Sequence, residues 1–418
     1  MDRRNVFEWL RLVNCLGCGN VRIWEVMKHF RTVSEACSAL GDRSARNLPL
    51  TDKERQSAAR TSDEQLNELI AYCEEHNIYI LTFDDEKYPE RLRSIYNPPA
   101  LLFCRGDLSC LDNDFSISVV GTRKPSEYSE RVTSALVKEL CSFGITIVSG
   151  FAVGIDIAAN LAAVRCGGKT IAVLGCGLDR DYPFENVKYR REIEQNGLFV
   201  SEYYPQMGGT KHSFPARNRI LSGLSLGTAV IEAGERSGAL ITANLALSQG
   251  KDIFVAAPHD LFDKRYGGNV SLIRDGAICL CGVRDIVYEY YENYGHKIAN
   301  ADAVFVGIPE GSASTAYRQA DRIDPLAEDK PTALDVSAAD ASEDDTVGSE
   351  SSPEFDASEL EGDEAAVYAA LKKAGGFVQA DDLAEMCGMD ISEIMSVLTD
   401  LEIEGAAVSS AGQRYSAN

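Results

Sequence analysis

The stretch Ser116–Asp156 reads SISVVGTRKPSEYSERVTSALVKELCSFGITIVSGFAVGID. An apolar run, Ile117 to Val120, stops at Gly121 and delivers Thr122, Arg123 and Lys124 into a loop. After Pro125 and Ser126, apolar residues recur at Val132, Ala135, Leu136, Leu140 and Phe143, near the spacing of an amphipathic helix, which Gly144 closes. A second apolar run, Ile145 to Val148, ends at Ser149-Gly150, and a Gly-rich turn leads on to Asp156. The pattern predicts strand, helix, strand, with loops at the strand ends where open α/β sheets hold their ligands.

The alternation continues to about Cys281. Strands are predicted over 170–174, 198–201, 228–231, 253–257 and 277–280, with helices over 186–196, 218–224 and 239–249. Continuous apolar strands between helices indicate an α/β domain over 115–300, with an extended Rossmann-like, mostly parallel sheet covered on both faces. Residues 1–80 read as a small helical domain. Its Leu16-Gly17-Cys18-Gly19-Asn20 break resembles the turn of a helix-hairpin-helix (SAM-like) unit, whose backbone N–H groups can face a phosphate; a two-helix hairpin used only for packing is the favoured reading. Cys15-x-x-Cys18 has no second Cys/His pair at zinc-ligand spacing. Residues 81–114 read as a connecting segment with a short strand over 101–104. Residues 301–364 hold Ala, Asp, Ser, Glu and Pro with few large apolar residues, the composition of a disordered acidic linker. Residues 365–418 return to three short helical patterns and a hairpin about Ala411-Gly412, resembling a winged helix. Its expected recognition helix, Ile391 to Leu401, carries Glu393 and Asp400 and no Lys or Arg, which suits protein contact better than duplex reading.

The net charge of −23 is unevenly spread. Of 64 acidic residues 26 lie after residue 300, against 6 of 41 basic ones, so the first 300 residues are nearly neutral. A polyanion ligand at the centre is therefore not excluded. No apolar run approaches membrane-span length, and the N-terminus shows no signal-peptide core. Twelve cysteines scattered through apolar segments suit a reducing cytoplasm, and a cytoplasmic protein without membrane association is expected.

Three strand ends could approach an anion: Gly121-Thr122-Arg123, Ser149-Gly150 and Ser237-Gly238. The GxGxxG fingerprint is missing from the first turn, which disfavours a nicotinamide or flavin, and no cofactor is expected. Lys211-His212-Ser213-Phe214-Pro215-Ala216-Arg217-Asn218-Arg219 places two arginine forks beside an aromatic at a helix start. Such forks suit phosphate oxygens, and Phe214 suits stacking. The alternative is a structural network of these arginines with Glu232 or Asp156. No Ser/His/Asp order stands out, and His212 and His259 lack metal-spaced partners. Asp156, Asp179 and Glu232 could form an acid/base set or simply orient arginines.

From Tyr88 to Cys279 the chain resembles the DprA (Smf) family of DNA-processing proteins. The resemblance rests on YPERLRSIYNPPALLFCRGDL, VVGTRKPSEY, IVSGFAVGIDIAANLAA, TIAVLGCGLDRDYPFEN, FVSEYYP, FPARNRILSGLS, VIEAGERSGALITANLAL and GGNVSLIRDGA. It implies a non-enzymatic, homodimeric protein that binds and protects single-stranded DNA. It further implies loading of the recombinase RecA during natural transformation and recombination. Carried over by motif, Gly121, Arg123, Ser149, Gly150, Arg217, Asn218 and Arg219 would line the DNA groove. Side-chain chemistry adds Lys124, Phe184, Lys188 and Lys211. Two positions depart from the family pattern: Asn160 stands where His is usual, and His259 where Gly follows Pro258. The competing reading is a nucleotide hydrolase of the lysine-decarboxylase-like (phosphoribohydrolase) type using Glu232, although the spacing from Gly227-Thr228 is one residue too long.

Overall fold

The apolar face at the start of the chain forms α1 (Arg3–Leu16), whose first amides, those of Arg4 and Asn5, are capped by the Asp2 carboxylate. α2 (Arg22–Met27), α3 (Val33–Gly41) and α4 (Asp63–Glu75) follow, the last opened by a Ser62/Gln65 capping box. Trp9, Leu10 and Leu12 are completely buried among them. The computed structural model describes residues 2–41, 50–51, 54, 56–57, 61–297, 299, 363–403, 406–410 and 414–417. The expected acidic linker lies, up to residue 362, outside the described residues. Two compact units result, Met1–Val304 and Phe305–Asn418.

In the first unit, β1 (Tyr79–Thr82), α5 (Glu90–Arg93) and β2 (Leu101–Gly106) come from residues read as helical domain and connector. They nevertheless extend the main sheet, since β1 pairs antiparallel with β2 and β2 with β6. The remaining strands are β3 (Ser116–Val120), β4 (Thr146–Ser149), β5 (Thr170–Val173), β6 (Leu198–Ser201), β7 (Gly227–Val230), β8 (Asp252–Ala256) and β9 (Ile278–Leu280). Between them run α6 (Glu127–Ser142), α7 (Ile155–Arg165), α8 (Arg190–Asn196), α9 (Ser213–Leu224), α10 (Gly238–Ser248) and α11 (Gly267–Arg274), and α12 (Val283–Tyr294) follows β9.

The nine strands lie in the order β1-β2-β6-β5-β4-β3-β7-β8-β9, parallel from β6 to β9. Both faces are covered, so the central strands are buried at every position, their few polar residues (Ser116, Ser118, Thr146, Ser149 and Thr170) included. Ile117, Val119 and Ile147 pack with Leu136, Val137 and Ile286 of α6 and α12. Val148, Ile171 and Val173 pack on the other face with Ile220, Leu221 and Leu224 of α9. Because β4–β6 lie on one side of β3 and β7–β9 on the other, the chain reverses direction across the sheet at β3. The crevice of such a sheet opens at the carboxyl ends of β3 and β7.

Two predicted helices differ in extent. The helix expected over 218–224 begins at Ser213, with Pro215 in the first turn, where its missing N–H costs no hydrogen bond. The helix expected over 186–196 divides into a 3₁₀ turn, Phe184–Tyr189, and α8.

The second unit contains α13 (Asp363–Ala374), β10 (Val378–Gln379), α14 (Ala380–Cys387), α15 (Ile391–Ile403), β11 (Ala407–Ser410) and β12 (Arg414–Ala417). Its three strands pair antiparallel in the order β10-β12-β11, and Val367, Leu371, Leu383, Ile394, Leu398 and Tyr415 form its core. Three helices with a small antiparallel sheet make this a winged helix.

Candidate nucleic-acid interface

Pairing of β3 with β7 continues past the strands. Ile231 N donates to Val120 O at 3.0 Å and Thr122 N to Glu232 O at 2.7 Å. The Glu232 side chain is 1% exposed and accepts from Ser126 N (2.9 Å) and Ser126 Oγ (2.7 Å). Ser126 caps α6, so Glu232 anchors a helix start rather than orienting an arginine. On the other side, Thr122 O accepts from Ile155 N at 3.2 Å. Gly154, at φ +91°, makes that approach feasible, since a Cβ there would lie 2.3 Å from Thr122 O. The two turns of the opening stretch thus join into one wall. Arg123 and Lys124 stand exposed on its rim.

Below the rim is the corner at Gly150. The Asp156 carboxylate accepts from the backbone N–H groups of Gly150 and Ala152, on either side of Phe151, which is buried at φ +58°. A Cβ on Gly150 would fall 2.4 Å from Asp156 Oδ2 and 2.7 Å from Arg217 Nη1. The anion seat of this turn is therefore filled by the protein's own carboxylate. Burial pushes the Asp156 carboxyl up to about 6, against the pull of Arg217, the two N–H groups and Arg123.

That shift predicts a pH dependence. A carboxyl whose folded pKa lies above its unfolded value favours folding when protonated. The contribution is fully present below about pH 4 and is lost as pH rises through about 6. Two pKa units correspond to on the order of 3 kcal/mol. Asp156→Asn, neutral at every pH, is expected to raise the urea midpoint at pH 7.5 and to give no gain near pH 4.

Four of the residues expected to line the groove, Ser149, Gly150, Arg217 and Arg219, are internal. Arg217 is buried, donating to Gly150 O at 2.7 Å and to Val173 O, and desolvation lowers its pKa. It ties the ends of β4 and β5 to α9. Arg219 is buried as well; its guanidinium meets the Glu202 carboxylate through Nη1 (2.7 Å) and Nη2 (2.6 Å), and Nε donates to Asn97 O at 2.9 Å. Burial opposes charge on Arg219, but Glu202 outweighs it and the pKa rises. A structural arginine network does exist, with Glu202 as the partner of Arg219 instead of Glu232 or Asp156. Ser149 turns its hydroxyl inward to Val119 O at 2.7 Å, and Gly150 is buried beneath Asp156. The Gly17–Asn20 turn faces the same joint. A Cβ on Gly19 would meet Glu202 Oε2 at 3.0 Å, and Gly19 O accepts from Asn97 Nδ2 at 2.9 Å. That turn packs two layers together, as the simple hairpin reading has it.

The exposed part of the edge is basic and aromatic. Phe184 is 81% exposed at the start of the turn after β5, and Asn186 Nδ2 pins that turn to Phe151 O at 2.9 Å. Tyr182, 45% exposed, packs its ring 4.8 Å from that of half-buried Phe214. Lys188 is exposed over the Tyr189 ring at 4.8 Å, Lys211 is exposed ahead of α9, and Asn218 is half-buried within it. Tyr182 was missed in the sequence, although an aromatic before a proline in a polar loop was the available signal. Among the described residues, no three His, Cys, Asp or Glu side chains are grouped to hold a metal.

Residues 79–291, half of the chain and all nine strands of the main sheet, match the family described as DNA recombination-mediator protein A. Residues 351–413 match the DprA winged helix domain. This chain belongs to the DprA (Smf) family.

The DNA processing protein DprA of Bacillus subtilis is 39% identical over 245 residues, covering 58% of this chain and 82% of that one. The crystal structure of DprA from Streptococcus pneumoniae superposes with a TM-score of 0.60 at 32% identity, over 69% of this chain and 99% of its own. A Helicobacter pylori DprA, solved for its single-stranded DNA binding mode, is 34% identical over 51% of this chain and 97% of its own, with a TM-score of 0.47. The two departures from the DprA pattern sit in different surroundings. Asn160 is buried, donating Nδ2 to Thr170 Oγ1 at 2.8 Å, while its Oδ1 has no hydrogen-bond donor. His259 is exposed, with its ring 5.3 Å from that of Tyr128.

Proposed function

We propose that this chain binds single-stranded DNA along the carboxyl edge of its sheet, protects it, and loads RecA onto it in natural transformation and recombination, acting in the cytoplasm as a homodimer without catalysis. The observation that carries the reading is an open edge on which the exposed aromatics Phe184 and Tyr182 stand among the exposed cations Arg123, Lys124, Lys188 and Lys211. Unpaired bases offer π-faces to such aromatics, whereas a duplex hides them, and the cations follow the phosphates. Membership of a family of DNA recombination mediators supports the recombinase step. The engagement of Glu232 by Ser126 supports binding without hydrolysis. In the winged helix, exposed Asp381, Asp382 and Glu385 on α14 favour a protein contact over a DNA contact for that unit.

The test is a fluorescence titration of labelled oligo-dT and of a duplex of equal length across a salt series. Salt-sensitive binding that favours the single strand is expected. Equal or tighter duplex binding would sink the reading, and base released from nucleoside monophosphates would restore the hydrolase. Faster RecA filament formation on the bound strand, and sedimentation as a dimer, are the matching outcomes for the two partners.

A further inference from the structure

The described cysteines are free thiols, and most are isolated. Cys141, in the last turn of α6, and Cys166, the residue that closes α7, are an exception: their thiols face each other across neighbouring helices, close enough for Cys166 to influence the ionisation of Cys141. The approach is built into the backbone. Gly167, at φ +77°, turns the chain at the end of α7, and Gly168 lies against Cys141, where a Cβ would fall 2.3 Å from its Sγ. Cys166 Sγ rests 3.2 Å from Ala163 O, exposed at the surface, while Cys141 is half-buried behind it. Beside the pair opens a depression of about 410 Å³ lined by Asn113, Cys141, Gly168 and Lys169, which gives a small reagent access from the side. Cys279 and Cys281 are also near neighbours, and Cys281 influences the ionisation of Cys279. They are separated by one residue at the sheet edge, which in extended chain sets their Cα atoms about 6.6 Å apart, near the limit of disulfide reach.

We propose that Cys141 and Cys166 form a reversible dithiol–disulfide site that reacts with small-molecule disulfides of the glutathione type. The exposed Cys166 thiolate attacks one sulfur of oxidised glutathione, the S–S bond breaks, and one glutathione thiolate leaves and takes a proton from water. Cys141 then attacks Cys166 Sγ, giving its proton to water as the second glutathione leaves. The protein loses two thiol hydrogens and one glutathione disulfide becomes two thiols. Burial pushes the Cys141 thiol up, so this second step is the slower one. The new bond ties together the carboxyl ends of α6 and α7. The opposite ends of these helices hold Ser126 and Gly154, on either side of Arg123.

The experiment incubates the full-length protein with oxidised glutathione, then maps the peptides by mass spectrometry after the remaining thiols are blocked. A cross-linked peptide joining Cys141 to Cys166, reversed by dithiothreitol, absent in Cys166→Ser and retained in Cys279→Ser, is expected. The oxidised form should melt about 5 °C higher, since the bond closes a loop of some 25 residues. A lasting glutathione adduct on Cys166 without the cross-link would overturn the proposal, as would a cross-link confined to Cys279 and Cys281 or no reaction at either cysteine.

Discussion

Replacing Arg219 with Ala is expected to cost about 3–5 kcal/mol of stability, the largest loss from any single substitution at this edge, because it strands the Glu202 carboxylate in the interior. The loss should appear as a large fall in the urea midpoint of the first unit. It should be specific to the broken pair. Arg219→Met combined with Glu202→Leu removes both charges and fills the space, so the double variant is expected to recover most of the loss. A double variant no more stable than Arg219→Ala would show that the guanidinium's bonds to Asn97 O and Ala216 O, not its ion pair, hold the joint. Any Arg219 variant that folds should bind DNA with an unchanged salt dependence, since a buried arginine releases no counterion from a phosphate. A reduced salt slope would return Arg219 to the groove.

The difference between Arg219 and Arg123 was not legible in the sequence, and the reason is physical. Both sit in motifs with the composition of anion sites, GTRK and FPARNR. Their fates depend on partners that sequence spacing does not reveal. Arg219 meets Glu202, 17 residues earlier, only because β6 and α9 pack in adjacent layers, whereas Arg123 stands exposed on its turn. The parallel core was readable because strands covered on both faces carry apolar runs broken only by small residues such as Ser and Thr, and β3, β4 and β5 are buried throughout. β1 was not, since its four residues YILT follow α4 closely and continue that helix's apolar content. The same limit hid Glu202 and Tyr182. Each gains its meaning from a neighbour brought close by the fold, Arg219 for one and Phe214 for the other.

Glu232 shows how a residue with an enzymatic signature can be structural. Its carboxylate is committed to Ser126, which shares its hydroxyl with Tyr266, and Tyr266 in turn reaches Ser129. Asn269 secures the neighbouring turn by accepting from Ala233 N and donating to Ile231 O and Ala256 O. This buried polar web holds the Gly121–Ser126 loop from beneath. Arg123 is thereby presented from a preorganised backbone, which lowers the entropy lost when a strand docks.

Arg123→Ala together with Lys188→Ala is expected to weaken oligo-dT binding by more than 100-fold at low salt while leaving the melting temperature within a degree or two. Each removed cation forfeits a charge-assisted contact of about 1.5–3 kcal/mol, and both side chains are exposed, so the fold loses no buried partner. The slope of log affinity against log salt should shrink by about 1.4, at about 0.7 per phosphate on a single strand. Phe184→Ala provides the contrasting signature. Loss of a stacked base costs about 1–3 kcal/mol, a fall of roughly 5- to 150-fold, with no change in salt slope because no ion is released. The two effects should combine additively if the aromatic and the cations grip different parts of one strand. A salt slope unmoved by the double charge variant would exclude Arg123 and Lys188 as phosphate contacts. Unaltered binding by Phe184→Ala would mean that its 81% exposure serves some other encounter.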